Sequence, residues 1–307
     1  MKILLTGSHG MVGRNIIEHP LASKYEILSP TSKELDLLDV GGVQDYISTN
    51  KPDMVIHAAG IVGGIQKNIS QPVKFLVDNM YMGLNILTTS RDFGVKKFMN
   101  LSSSCVYPKN ADSPLSEDLI LKGELESTNE GYALAKVAST RLCEYINRED
   151  KSYLYKTAIS CNLYGKYDKF DSEYSHIIPA VIKKIDSAKR NNEEFVDIWG
   201  DGLARREFMY VADFASFIYY ATDNFEKMPQ NINVGLGHDY TINEYYQKIA
   251  DIVGYQGGFT HDLSRPVGMR QKLVDNTKLE NFGWQYQTTL EKGIQETYDY
   301  FNEEFGE

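Results

Sequence analysis

An α/β fold is what this sequence predicts: a doubly wound, mainly parallel sheet with helices on both faces, and a smaller mixed C-terminal unit built onto it. Three observations carry that expectation. Short apolar runs alternate with helical segments in the first half, the runs lack the in-and-out alternation of half-solvated strands, and the pattern loosens from about residue 166. Continuous apolar runs are how strands buried on both faces of a parallel sheet read. Their alternation with helices implies crossover connections.

The elements follow in chain order. Strands are predicted at 2–7 (KILLTG), 25–30 (YEILSP), 53–60 (DMVIHAAG), 97–103 (KFMNLSS) and 155–165 (YKTAISCNLYG). Val73, Leu76, Val77, Met80 and Leu84 recur at helical spacing and place a helix between the third and fourth strands. Beyond 166 the clearest helices are 177–190 (IIPAVIKKIDSAKR) and 242–254 (INEYYQKIADIVG). Residues 206–223 (REFMYVADFASFIYYATD) read as a strand and helix returning to the sheet. The expected division is one unit over 1–165, with 206–223 rejoining it, and a second over 166–307.

With 307 residues the chain can bury a sizeable core. Its net charge of -10 argues against nucleic-acid binding, which needs a basic footprint. No long apolar run suggests a membrane span, and the apolar stretch of MKILLTGSHGMVG breaks at glycines too early for a signal peptide. A cytoplasmic protein is expected. Three cysteines, Cys105, Cys143 and Cys161, argue against a disulfide framework and leave one reactive thiol open. The six histidines show no metal-type spacing, so no metal is expected.

After the first run comes Gly7-Ser-His-Gly10-Met11-Val12-Gly13, opening an amphipathic helix. Glycine removes the Cβ where backbone must turn tightly against a pyrophosphate, and the helix N-terminus offers unpaired N–H groups to it. In this context the loop predicts dinucleotide binding by the first unit; a merely structural tight turn is the alternative. An acid at the tip of the second strand would hold the ribose 2′-hydroxyl of NAD. Ser29 to Lys33 contain none, and Ser29, Ser32 and Lys33 suit a 2′-phosphate, which favours NADP(H) unless Lys33 simply faces solvent. Asp36 and Leu37, at the end of an expected further short strand, are candidates to flank the adenine.

Tyr132 and Lys136 in GYALAKVASTR lie four apart, one helical turn above each other. An ammonium near a phenol favours phenolate and makes it a usable proton donor or acceptor. Such a pair alone is usually a solvated helix face. Ser103, at the C-terminal end of a predicted strand where ligands bind in open α/β sheets, raises its weight. Beside it stands Cys105, a core residue or a reactive thiol.

Glycine loop, strand-end serine and Y-x-x-x-K, in that order, resemble the extended short-chain dehydrogenase/reductases, whose sheet is of the Rossmann type. The resemblance covers the whole chain, with Ala58 and Ala59 of HAAG and Asn79 beside the cofactor. HAAGIVGGI (57–65), SSCVYP (103–108), NLYG (162–165), SHIIPA (175–180), WGDGLARREFMYVAD (199–213) and VGMRQKLVD (267–275) are similar to the GDP-L-fucose synthase subfamily. That resemblance implies an NADPH-dependent epimerase and 4-reductase of a GDP-4-keto-6-deoxy sugar. Ser103, Tyr132 and Lys136 would serve hydride transfer, and Cys105 and His176 the epimerising proton transfers. Asn162, His176, Lys184, Trp199, Arg206 and Lys272 would line the substrate. The family also implies a homodimer formed through helices on the sheet's flank.

The match departs at Lys166-Tyr-Asp-Lys-Phe, at Ser160-Cys161, at Lys184 and at Val267. These changes surround sugar and diphosphate, not Ser103, Tyr132 and Lys136. They keep open a 4-reductase with little or no epimerisation, acting on a GDP-linked 6-deoxy-heptose or 3,6-dideoxyhexose. A dinucleotide-sensing regulatory protein is the non-enzymatic alternative.

Overall fold

A computed structural model describes residues 1–170, 175–265 and 268–306. The first half supplies β1 (Lys2–Thr6), α1 (Met11–Glu18), β2 (Glu26–Leu28), α2 (Val40–Asn50), β3 (Met54–His57), α3 (Ile65–Ser70), α4 (Pro72–Asp92), β4 (Lys97–Ser103), α5 (Glu130–Glu149) and β5 (Leu154–Ser160). Next come β6 (Asn162–Tyr164), α6 (Ile177–Arg190), β7 (Phe195–Trp199), β8 (Arg205–Arg206), β9 (Phe208–Tyr210), α7 (Val211–Asp223) and β10 (Asn231–Val234). The chain finishes with β11 (Tyr240–Thr241), α8 (Ile242–Val253), β12 (Gly258–Asp262), β13 (Gln271–Lys272), α9 (Thr277–Phe282) and α10 (Leu290–Phe305).

Six strands pair in parallel in the order β10-β5-β4-β3-β1-β2. Ile3, Leu4, Leu5, Val55, Ile56, Phe98 and Met99 are all buried, as strands covered on both faces require. After β2 the chain doubles back to add β3 on the other side of β1, so the order reverses there. Ligands of such sheets bind at this switch point, outside the strands' C-terminal ends.

Several expected elements are redrawn. The run 155–165 is two strands in two sheets. Cys161 still donates its N–H to Val234 O at 3.0 Å, but the next three residues pair with β9. Residues 35–37 form no strand; Leu35 and Leu37 are pinned as buried coil beside Val43 and Ile47 of α2. The helix over 72–92 exists, yet its core face is Phe75, Asn79, Gly83, Ile86 and Leu87. Val73 and Val77, taken for its apolar stripe, are exposed on the far side. Helix α7 packs on α1, and β10 extends the main sheet beyond β5, an element no sequence pattern had suggested.

A second core gathers Ile178, Val181 and Ile182 of α6, Val196 and Ile198 of β7, Tyr245 and Ile249 of α8, and Ile294 and Phe301 of α10. Helix α8 starts on a reciprocal Thr241–Glu244 cap and ends at Gly254 in the left-handed region, which explains its sharp limits. Among the described residues, no helix is long and apolar enough to cross a membrane.

Candidate active site

Strand β1 runs straight into the glycine turn. Gly7 sits at φ +71°, and a Cβ there would lie 2.6 Å from Ala59 N; one on Gly13 would lie 2.2 Å from Gly7 O. Neither position accepts a side chain. Helix α1 follows with no side-chain cap and no acid in its first turn, leaving its N–H groups for an anion. Met11 and Val12 pack their side chains on the core beneath. Gly10 has nothing closer to a built Cβ than Gly7 O at 3.4 Å, so the turn is open on that side. The cradle therefore fits a dinucleotide pyrophosphate.

Neighbouring segments are tied to this turn. The Ser8 hydroxyl donates to Pro30 O at 3.1 Å, joining it to the tip of β2. At that tip Ser29, Ser32 and Lys33 are exposed. The nearest acid, Glu34, folds back to accept from Thr31 N at 2.8 Å and Thr31 Oγ1 at 2.9 Å. Among the described residues no carboxylate at this tip reaches for a ribose hydroxyl, which suits NADP. Asp36 is exposed and Leu37 buried, and Asn85 Nδ2 donates to Leu37 O at 2.8 Å. Asn79 is buried and clamps the loop after Ala58 and Ala59, its Oδ1 accepting from Ile61 N at 2.8 Å. His57 shares a 2.8 Å hydrogen bond with Thr6 Oγ1, and burial lowers its pKa to about 3, so it is a neutral structural residue.

Ser103 ends β4, and a 3₁₀ turn over Ser104–Val106 then folds Cys105 into the core at 4% exposure. The first two turns of α5 bring Tyr132 and Lys136 to the same place. Lys136 Nζ donates to Leu101 O at 3.0 Å and lies 5.7 Å from the Tyr132 ring centre. The expectation that this ammonium lowers the phenol pKa is not met. Burial raises Tyr132, the Cys105 charge raises it further, and burial drops Lys136 itself to about 8. Desolvation of the phenol sets the direction.

Burial also raises the Cys105 thiol, but Lys272, the Ser103 hydroxyl and Lys136 all favour its thiolate. Lys272, expected to line the substrate, thus reaches the thiol electrostatically, and burial holds its own pKa down. Lys272 is in register with Arg206 across β8 and β13. Arg206 Nη1 donates to Arg205 O at 2.8 Å and Met269 O at 2.6 Å. Ser103, Cys105, Tyr132, Lys136 and Lys272 form one cluster, with Arg206 at its edge.

The remaining predicted residues lie on or beside β6, α6 and β7. His176 precedes α6, its Nδ1 3.7 Å from Asp168 Oδ1. Burial lowers its pKa, but Asp168 overcomes that and the net shift is upward. Among the described residues no hydrogen bond or ion pair joins His176 to Cys105 or Tyr132. Asn162 Nδ2 donates to Glu207 O at 3.0 Å. Lys184 is held by Asp197 at 2.6 Å, and Trp199 is exposed with the Arg265 guanidinium 4.8 Å from its ring centre. Val267 lies outside the described residues. Among the described residues, no group of three or more His, Cys, Asp or Glu side chains is arranged to hold a metal ion.

Three acids escaped the sequence reading. Glu126 acts on both Lys272 and Arg206. Glu207 is fully buried, accepts from Leu236, Gly237 and Val274 N–H groups, and is pushed up to about 7 by burial. Asp168 is the third. None sits at a spacing that would flag it, because each meets its partner through tertiary contact.

A family model described as the NAD-dependent epimerase/dehydratase family matches residues 3–235. The chain belongs to that family. It is 62% identical over 301 residues to a GDP-L-colitose synthase from Yersinia pseudotuberculosis, covering 98% of each chain. It is 49% identical over 300 residues to a GDP-L-fucose synthase from Azorhizobium caulinodans, covering 98% of this chain and 96% of that one. Within the family it therefore falls among the GDP-L-fucose and GDP-L-colitose synthases. Its structure superposes with a TM-score of 0.88 on a GDP-mannoheptose C4 reductase from Campylobacter jejuni with NADP bound, at 28% identity and 98% coverage of both chains.

Proposed function

We propose that this protein is an NADPH-dependent 4-reductase of a GDP-linked 4-keto-6-deoxy sugar that also inverts centres flanking the ketone. The observation that carries this is the gathering of a serine, a thiol, a phenol and two lysines at the end of β4, next to a glycine cradle. Bound NADPH supplies the hydride for C4. Ser103 Oγ orients the ketone. Protons on carbons next to a carbonyl are removable, so Cys105 Sγ takes one as thiolate while His176 Nε2 returns one on the opposite face. Between these steps Tyr132 Oη donates a hydrogen bond to the enediolate oxygen, and it delivers its proton to O4 during reduction. The Lys136 and Lys272 ammonium groups favour the anionic form of the thiol.

In this reading the first unit holds NADP(H), while Asn162, Lys184, Trp199, Arg206 and Lys272 take the GDP-sugar. Arginine and lysine suit a diphosphate in an otherwise acidic protein. The working form is a homodimer joined through the exposed apolar faces of α4 and α5. Its three cysteines are buried free thiols, in keeping with the reducing cytoplasm where we place it.

A second reading of the sugar is favoured by the relative at 62% identity, because colitose is a 3,6-dideoxy sugar. A GDP-4-keto-3,6-dideoxyhexose has no stereocentre at C3, leaving C5 alone to invert. Incubation with NADPH and each candidate ketosugar, followed at the nicotinamide absorbance, tests the reductase. Heavy water separates the variants: deuterium at C3 and C5 with a 6-deoxy substrate marks full epimerisation, and none marks a simple reductase. Cys105→Ser should suppress the exchange and spare reduction of an already inverted ketone. NADPH binding without oxidation across the whole panel would leave the regulatory reading standing instead.

A further inference from the structure

Asp168 and His176 belong to a loop and a helix start that no sequence spacing connects. The Asp168 side chain is only 6% exposed, and its Oδ1 stands 3.7 Å from His176 Nδ1. Oδ1 already accepts from Lys169 N at 2.8 Å. Asp168 Oδ2 and His176 Nδ1 are both buried, and neither has a hydrogen-bond partner among the described residues. A buried carboxylate oxygen and a buried ring nitrogen left unpartnered on the same pair of side chains point to a hydrogen bond between them, with Nδ1 donating to the carboxylate. The imidazole side chain is 36% exposed although Nδ1 is buried, so its accessible surface lies on the rest of the ring, where Nε2 sits.

The loop carrying Asp168 is built to stay put. Tyr167 adopts φ +72°, a left-handed conformation that a tyrosine keeps only where its surroundings enforce it. They do: the Arg14 guanidinium lies 3.5 Å from its ring centre and its hydroxyl bonds Glu18. Asn15 Nδ2 donates to Lys166 O at 3.0 Å. On the other side Phe170 is buried with its ring 5.0 Å from that of Phe301. The loop is thus fastened both to the dinucleotide helix α1 and to α10.

We propose that Asp168 is a positioning residue for His176, holding the proton on Nδ1 so that Nε2 is the nitrogen that exchanges protons with the sugar. The assignment of that exchange rests on the function proposed above; the dyad itself does not. Among the described residues, the charged groups acting on the ring are the Asp168 carboxylate, which favours the imidazolium, and Lys169, which opposes it. With Asp168 the stronger of the two, His176 stays protonated to higher pH than an ordinary histidine and serves as the proton-donating partner of Cys105.

Nitrogen-15 NMR of the full chain labelled at histidine tests this, with the His176 signal assigned by its loss in His176→Gln. The expected wild-type spectrum shows the Nδ1–H tautomer and a titration midpoint above 6.5. Asp168→Asn and Asp168→Ala should lower that midpoint, and Asp168→Glu should restore part of it. With the ketosugar, Asp168→Asn should slow deuterium exchange about tenfold to a hundredfold in kcat, with KM little changed. An Nε2–H tautomer in the wild type, or a midpoint unmoved in Asp168→Asn, overturns the dyad whether or not the variants are active. A normal dyad signal with no turnover on any ketosugar overturns the proposed function and leaves the dyad intact.

Discussion

Lys136 is buried and donates a hydrogen bond to Leu101 O, and its pKa falls from 10.5 to about 8. Below pH about 8 folded and unfolded chains both hold the proton, and the fold bears the whole cost of desolvating the ammonium. Between about 8 and 10.5 the unfolded chain binds more protons, so this residue makes stability rise with pH. Lys136→Met should therefore flatten that rise, read as thermal midpoints across the window, while reduction drops about 10²- to 10⁴-fold. In the wild type, kcat/KM should decline above pH about 8 as the ammonium is lost. Tyr132→Phe should cost a similar factor in reduction yet leave NADPH affinity within about twofold, measured by nicotinamide fluorescence; an unchanged rate would remove the phenol from the mechanism.

Elements differ in how far sequence disclosed them, and locality explains the difference. The glycine turn, β4 and the Tyr132–Lys136 pair were legible because each is set by neighbours within a few residues. The glycine turn is also where a single methyl group decides function: Gly13→Ala would push a Cβ to within 2.2 Å of Gly7 O. That variant should weaken NADPH binding more than tenfold by titration calorimetry, with the far-ultraviolet spectrum unchanged. The face of α4 was misread since helical spacing says where a stripe lies, not what covers it. Its core side uses Asn79 and Gly83, which no hydropathy pattern marks. Likewise the break at Cys161 depends on pairing with β9, more than forty residues on. Glu207 was invisible for the same reason: it ties the Leu236–Gly237 loop to Val274. Its folded pKa of about 7 lies above the ordinary 4.5, so the folded state binds more protons between them and stability falls as pH rises through that range. Glu207→Gln should abolish this slope in urea melts followed from pH 4.5 to 7; a slope that persists would assign it to another group.

Whole-molecule behaviour turns on the face that α4 and α5 leave uncovered. The two helices pack on each other along the sheet's flank, with Gly83 admitting Ser139 so closely that a Cβ would lie 2.4 Å from its hydroxyl. Outward, Val73 is 72% exposed and Tyr81 56%, with Val77 between them on one stripe of α4, and Leu134 and Tyr145 project from α5. Exposed apolar side chains aligned on a helix face are suited to an interface with a second copy. A twofold axis across the pair would set two helices against two, a self-complementary arrangement. A stable interface buries roughly 1,200–2,000 Å². The wild type should therefore sediment as a dimer at micromolar concentration. Val77→Asp with Tyr81→Asp would bury four carboxylates without partners at that contact, a penalty large enough to leave monomers. The active-site cluster draws on β4, α5 and β13 of one chain, so the monomeric variant should bind NADPH normally while its midpoint temperature falls. A wild-type protein that sediments as a monomer, or a double variant that remains dimeric, would place the interface elsewhere.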